Sequence, residues 1–188
     1  MRLFIAIELP RKTRDALAAL QSELKESGAD VKWVAPENIH LTLKFIGETN
    51  EADLKNILRA MEETAKGHCA FTMRAASCGA FPNINSPRVI WVGLSKGSEE
   101  TKQIAEGLEV KLAAVGIPKE ERPFSSHITL GRTRSSLNRD KLVDSLKVLE
   151  GKPLEEEFMV TKVTLFKSTL TPKGAVYEAL QEASLKTT

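Results

Sequence analysis

The stretch PENIHLTLKFIG, residues 36–47, sets His40 and Thr42 two positions apart among apolar residues. Side chains of an extended strand alternate between faces, so His40 and Thr42 share one face while Leu41 and Leu43 occupy the other. Such a strand has a core side and a wet side, and a single His-x-Thr pair is ordinarily no more than the polar face of a sheet. The same pattern returns, however, as HITL at residues 127–130, where the only change from HLTL is one conservative apolar substitution. Two of the chain's three histidines thus occupy equivalent contexts. On each strand the imidazole and the hydroxyl would stand about 7 Å apart, close enough for both to touch one small group between them. Cations follow each copy, Lys44 after the first and Arg132 and Arg134 after the second. Basic residues there suit an anionic ligand.

Outward from these motifs, strands and helices alternate. LFIAIEL (3–9) is predicted as a strand, and 11–27 as an amphipathic helix with Leu17, Leu20 and Leu24 on one face, ended by Gly28. VKWV (31–34) is a strand, the first motif strand runs from about Ile39 to Ile46 with Gly47 closing it, and Asn50 is placed as the cap of a second helix ending near Lys66. Residues 69–81 and 88–94 read as strands separated by the turn PNINSP. A helix from Ser98 to about Val115 is stopped by Gly116 and Pro118, and RPFSSHITLGRTR is a loop running into a short strand. A helix over about 138–149 follows, and the tail from Phe158 gives two strands around a TPKG turn. This order predicts an α+β protein with mostly antiparallel sheets, built as two pseudo-equivalent lobes.

Composition bounds the function. The 188 residues suffice for a sizeable core, and 41% hydrophobic with 28% charged residues describes an ordinary folded protein. No apolar run approaches the roughly 20 residues that span a bilayer, and MRLFIAIELP reads as a first strand, not a signal peptide. Cys69 and Cys78 lack the spacing of a zinc site or a disulfide framework, which points to a reducing cytoplasm. A net charge of +2 does not demand nucleic acid but leaves room for a local basic cleft. Abundant Lys and Glu with scarce Gln fit a thermophilic source.

The paired motifs, their spacing of 87 residues, RLFIAIELP at the start and HITLGR in the second copy resemble the two-histidine (2H) phosphoesterases. Within them the chain is most similar to the RNA 2',3'-cyclic phosphodiesterases of bacteria and archaea, long called 2'-5' RNA ligases. The resemblance covers nearly the whole chain. It implies one domain over residues 1–188, made of two interleaved lobes: two mostly antiparallel sheets face a central cleft, with helices outside. It implies hydrolysis of RNA 2',3'-cyclic phosphate ends to 2'-phosphates, with His40 as proton donor and His127 as proton acceptor. Nothing in the residues themselves separates those two roles.

Histidine, with an ordinary pKa of about 6.5, lets one copy be neutral and another protonated near neutrality. One imidazole takes a proton from the attacking water while the other protonates the departing ribose oxygen. Thr42 and Thr129 would then donate to the non-bridging oxygens. Arg132 is the candidate for a further phosphate contact. Lys44 is a second, valid only if its strand stays regular enough to keep it on the Thr42 face. Among the aromatics Phe45, Phe124 and Phe166, Phe124 is the best placed to stack a base, whereas Phe45, Trp33 and Trp91 are expected in the core. His68 reads as structural or solvent-exposed and Cys69 as a small buried residue. No metal or other cofactor is expected, because no set of carboxylates, histidines and cysteines has ligand spacing. The expected partner is RNA with a cyclic phosphate end, tRNA fragments among the candidates, without a membrane and with the protein as a monomer. Two other readings stand beside this one: a phosphodiesterase for a small cyclic nucleotide, and a nucleotide- or RNA-binding module without turnover.

Overall fold

The computed structural model describes residues 1–152, 154 and 156–187. Its strands are β1 (Arg2–Glu8), β2 (Val31–Trp33), β3 (His40–Glu48), β4 (Phe71–Asn83), β5 (Ser86–Lys96), β6 (Ile128–Thr133), β7 (Glu157–Val160), β8 (Lys162–Thr171) and β9 (Gly174–Ser184). The helices are α1 (Arg11–Lys25), α2 (Glu51–Ala65), α3 (Ser98–Ala113) and α4 (Arg139–Glu150). One sheet has the order β3-β1-β8-β9 and the other β2-β6-β5-β4-β7. Every strand pair is antiparallel, as the α+β reading expects. The two sheets face a central cleft with the helices outside.

The chain weaves between the sheets. β1 and β3 share the first sheet, while β2, which lies between them in sequence, pairs with β6 in the second. The tail departs from its two-strand reading: β7 pairs with β4 in one sheet, and β8 pairs with β1 and β9 in the other. The apolar alternation runs through Thr161 without a visible break, so sequence alone shows one strand where the chain changes sheets. Asn50 sits at the N-cap of α2 but makes no side-chain cap bond, and Glu51 and Asp53 supply the negative charge of that first turn. Cys69 is exposed, contrary to expectation, and Cys78 is buried, where desolvation pushes its thiol up to about 12.

The core side of both sheets merges into one cluster that includes Leu3, Ile5 and Ile7 of β1, Leu41 and Leu43 of β3, and Ile128 and Leu130 of β6. The helical stripes read from sequence face it: Leu17, Leu20 and Leu24 of α1 and Ile104, Leu108 and Leu112 of α3 are all buried. Among the described residues no helix is long and apolar enough to cross a membrane.

Both motif strands carry a β-bulge one residue past their threonine. In β3, Thr42 lies opposite Ala6 and Lys44 opposite Ile5, which leaves Leu43 without a partner. In β6, Thr129 lies opposite Trp91 and Gly131 opposite Ile90, which leaves Leu130 without one. An extra residue reverses the alternation beyond it. Leu130 is held from behind by α1: the Gln21 side-chain amide, 1% exposed, donates to the Leu130 carbonyl at 2.9 Å and to the Val34 carbonyl at 2.8 Å. The Val34 amide donates to the same Leu130 carbonyl at 2.9 Å. Replacing Gln21 with Leu removes both side-chain bonds, the one to Leu130 buried and the one to Val34 part-buried, and should lower folding stability by about 1–3 kcal/mol, read as a lower urea midpoint at unchanged slope. A midpoint equal to that of the parent chain would show that the amide holds nothing.

Candidate active site

The two histidines are set in the same way. The 3-10 turn Pro36–Asn38 places the Asn38 carbonyl 2.7 Å from His40 Nδ1, and Asn38 is itself tied by its side-chain amide to the Ala175 carbonyl on β9 at 2.8 Å. His127 lies one residue before β6, at the end of a loop in which the Ser125 carbonyl stands 2.7 Å from its Nδ1. That loop is pinned to the start of α3, where the Ser126 and Thr101 hydroxyls lie 2.6 Å apart. A carbonyl only accepts, so each Nδ1 carries the proton and donates it. Each Nε2 is left as the working nitrogen. A proline stands four residues before each histidine, at Pro36 and Pro123, a shared signal that points to the matching turn as well as the matching strand.

His40 Nε2 is 2.8 Å from the Thr42 hydroxyl, so the two groups meet directly on their common face. Ala6, Phe4 and Glu8 of β1 pair with Thr42, Phe45 and His40, which makes this face the cleft side of the first sheet. Phe4, Ala6 and Phe166 form a small second cluster there with Tyr177 packed on it. The rings of Phe4 and Tyr177 lie 5.0 and 5.4 Å from that of His40. A cavity of about 200 Å³ opens beside His40, lined among others by Phe4, Glu8, Arg14, Asn38 and Tyr177. Sequence reading missed these lining residues, although the parity of β1 alone puts Phe4 and Glu8 on one face. On the second sheet Phe81 meets His127 edge-on at 5.1 Å and Trp91 at the same distance. Trp91 lies over Gly79, where a Cβ would come within 2.5 Å of the indole. The expectation of core packing for Trp91 therefore fails, because its ring belongs to this second wall; Trp33, by contrast, packs on the main core.

The bulges sort the remaining candidates. Beyond Leu130, Arg132 comes out opposite Val89 and Lys32 and is exposed. Its charge is felt by His127 on its own sheet and by Tyr177 across the cleft. Beyond Leu43 the same reversal turns Lys44 inward, and this corrects its assignment as a substrate contact. Lys44 is 2% exposed, with its ammonium 2.8 Å from Glu109 of α3 and 2.8 Å from the Pro118 carbonyl. Phe45, expected in the core, is turned outward and 58% exposed. Phe124 is half-buried against the main core, which argues against a free stacking ring there. His68 lies at the exit of α2, its backbone carbonyl bonded by Lys186 and its ring near α3, as a structural reading expects. Among the described residues no group of three or more His, Cys, Asp or Glu is arranged to hold a metal ion.

Burial lowers the pKa of His40, against which the bond to Asn38 works. Burial also lowers that of His127; the Ser125 bond opposes the shift and the Arg132 guanidinium adds to it. Both imidazoles therefore favour the neutral form more than an ordinary histidine does.

A family model described as LigT like Phosphoesterase matches residues 7–91 and again residues 92–177. The chain is 35% identical over 182 residues to an RNA 2',3'-cyclic phosphodiesterase of Methanocaldococcus jannaschii, covering 97% of this chain and 99% of that one. It is 33% identical over 181 residues to the protein of that name from Methanothermobacter thermautotrophicus, covering 96% and 97%. Among solved structures it superposes on TT0787 of Thermus thermophilus with a TM-score of 0.83 at 34% identity, covering 98% of both chains. Escherichia coli LigT complexed with 3'-AMP gives 0.78 at 26% identity, covering 98% and 97%. The chain belongs to the LigT-like phosphoesterases, the two-histidine family that its paired motifs resemble.

Nuclear magnetic resonance titration of the imidazole Cε1 protons should place both His40 and His127 below 6.5. Arg132→Ala should raise the His127 value and leave His40 in place, because only His127 feels that guanidinium. A His127 value unmoved by Arg132→Ala would remove the arginine from its surroundings.

Proposed function

We propose that this protein is an RNA 2',3'-cyclic phosphodiesterase that opens the cyclic phosphate to a 2'-phosphate without a metal ion. The observation that carries this reading is the matched pair of imidazoles, one on each wall, each fixed through Nδ1 and each offering Nε2 to the cleft. The names of the relatives, RNA 2',3'-cyclic phosphodiesterase, support the same activity.

His127 is the base. Its Nε2 takes a proton from water as the water oxygen attacks phosphorus, and the nearby Arg132 charge favours the neutral imidazole this requires. His40 is the acid, giving its Nε2 proton to the ribose 3' oxygen as the P–O3' bond breaks. The 2'-phosphate remains on the RNA. The acid must be protonated although burial favours its neutral form; the negative charge of the bound phosphate lifts its pKa and recruits that proton. Thr42 and Thr129 donate hydrogen bonds to the non-bridging oxygens, and Arg132 offsets the charge gathering there. Placing an RNA 5'-hydroxyl where the water stands converts the same step into 2'-5' ligation. Substrate is an RNA end, tRNA fragments among the candidates, and the chain acts as a cytoplasmic monomer, one domain of two interleaved lobes.

EDTA-treated protein given a short RNA ending in 2',3'-cyclic phosphate should yield a 2'-phosphate end. His40→Ala and His127→Ala should each lower kcat by about 10²–10⁴-fold with unchanged circular dichroism. Because both histidines have lowered pKa values in the free protein, kcat/KM should already be falling as pH rises past 6.5. The alkaline limb of kcat should lie at higher pH, since bound phosphate raises the pKa of the acid. A 3'-phosphate product, activity dependent on added metal, or full turnover by both alanine variants would overturn the mechanism.

A further inference from the structure

The bulge at Leu43 buries a lysine and exposes a phenylalanine next to it. A regular strand of the same sequence would do the opposite, sending Phe45 into the core and Lys44 to water, as burial preferences favour. The observed arrangement requires an ion pair with Glu109 and a bond to Pro118 to accommodate the ammonium, and it forfeits a ladder position at Leu43. Phe45 is the one aromatic among the exposed large hydrophobic side chains of the described residues. A local rule broken at such expense beside an active site marks a functional surface.

Position tells what the ring meets. His40, Thr42 and Phe45 follow one another along the cleft face of β3, with the cavity on the His40 side and Phe45 outside its lining. A phosphate held at His40 and Thr42 sits between the two. Its own base has the cavity walled by Phe4 and Tyr177, and Phe45, about 10 Å of strand beyond Thr42, lies where the chain continues. Across the cleft, Arg132 occupies the matching place five residues after its histidine. We propose that Phe45 stacks the base of the nucleotide preceding the cyclic phosphate end, so that the site selects an oligonucleotide over a cyclic mononucleotide. This rests on the RNA-end reading above and adds to it a discriminating subsite.

The test compares the parent chain, Phe45→Ala and Phe45→Trp on a 2',3'-cyclic mononucleotide and on a hexanucleotide ending in 2',3'-cyclic phosphate. The ratio of kcat/KM for hexanucleotide over mononucleotide should fall about ten-fold or more in Phe45→Ala, and Phe45→Trp should keep it. Thermal midpoints should match, since the side chain is largely in water. Binding of a hexanucleotide with a terminal 2'-phosphate, measured by calorimetry, should weaken by a similar factor. That readout separates the two claims: if the parent chain turns over neither substrate, the reaction is misassigned, while the binding comparison still decides the role of Phe45. An unchanged ratio together with unchanged binding overturns the subsite, as does an equal loss on both substrates.

Discussion

One hydrogen bond, from imidazole Nδ1 to the carbonyl two residues upstream, decides what each histidine can do. It fixes the tautomer, orients the ring and leaves Nε2 toward the cleft. A backbone carbonyl can serve this way only if the turn that carries it is rigid. The Pro36–Asn38 turn is fastened to β9 through the Asn38 amide, and the loop before His127 is fastened to α3 through Ser126. The chemistry of either histidine thus depends on an element remote from it in sequence.

Beyond their histidines and threonines, what the two motif strands present to the cleft is decided by two extra residues. Without the bulges Arg132 would point into the core and Phe45 would be buried, and the motif strands would bring to the cleft two imidazoles and two hydroxyls with a lysine nearby. Support differs on the two sides: a neutral amide, Gln21, holds Leu130, and an ion pair, Lys44 with Glu109, accompanies the displaced Leu43. A guanidinium on one wall and an aromatic ring on the other make the cleft asymmetric where the motifs are nearly identical. This asymmetry bears on the acid and base roles too, since the Arg132 charge acts on His127 and not on His40.

The parts of this molecule legible in the sequence are those set by local period. The strand and helix alternation, the helical stripes and the equivalence of HLTL with HITL all rest on periods of 2 and 3.6 and reappear in the structure. A bulge has no local residue signature, so regular alternation puts Lys44 and Phe45 on the wrong faces and gives no reason for Arg132 to share the face of Thr129. The cavity walls come from β1, β8 and β9, which only the folded topology brings beside His40. The change of sheet at Thr161 was hidden because both flanking strands bury apolar residues with the same period. Cys69 is exposed and makes an isolated parallel bridge to Lys186, a long-range pairing that spacing cannot reveal.

The weave of the two sheets also orders how the molecule can be made. β1 lies between β3 and β8, so it waits for a neighbour that begins at Lys162, far later in the sequence. Contacts of such separation carry a loop-closure penalty before they return any stabilisation, which slows folding. Tyr177, on β9, arrives later still. The wall around His40 is therefore begun by β1 and completed only by β8 and β9, so a nascent chain that has not yet reached β8 carries its first motif without Phe166 and Tyr177 beside it.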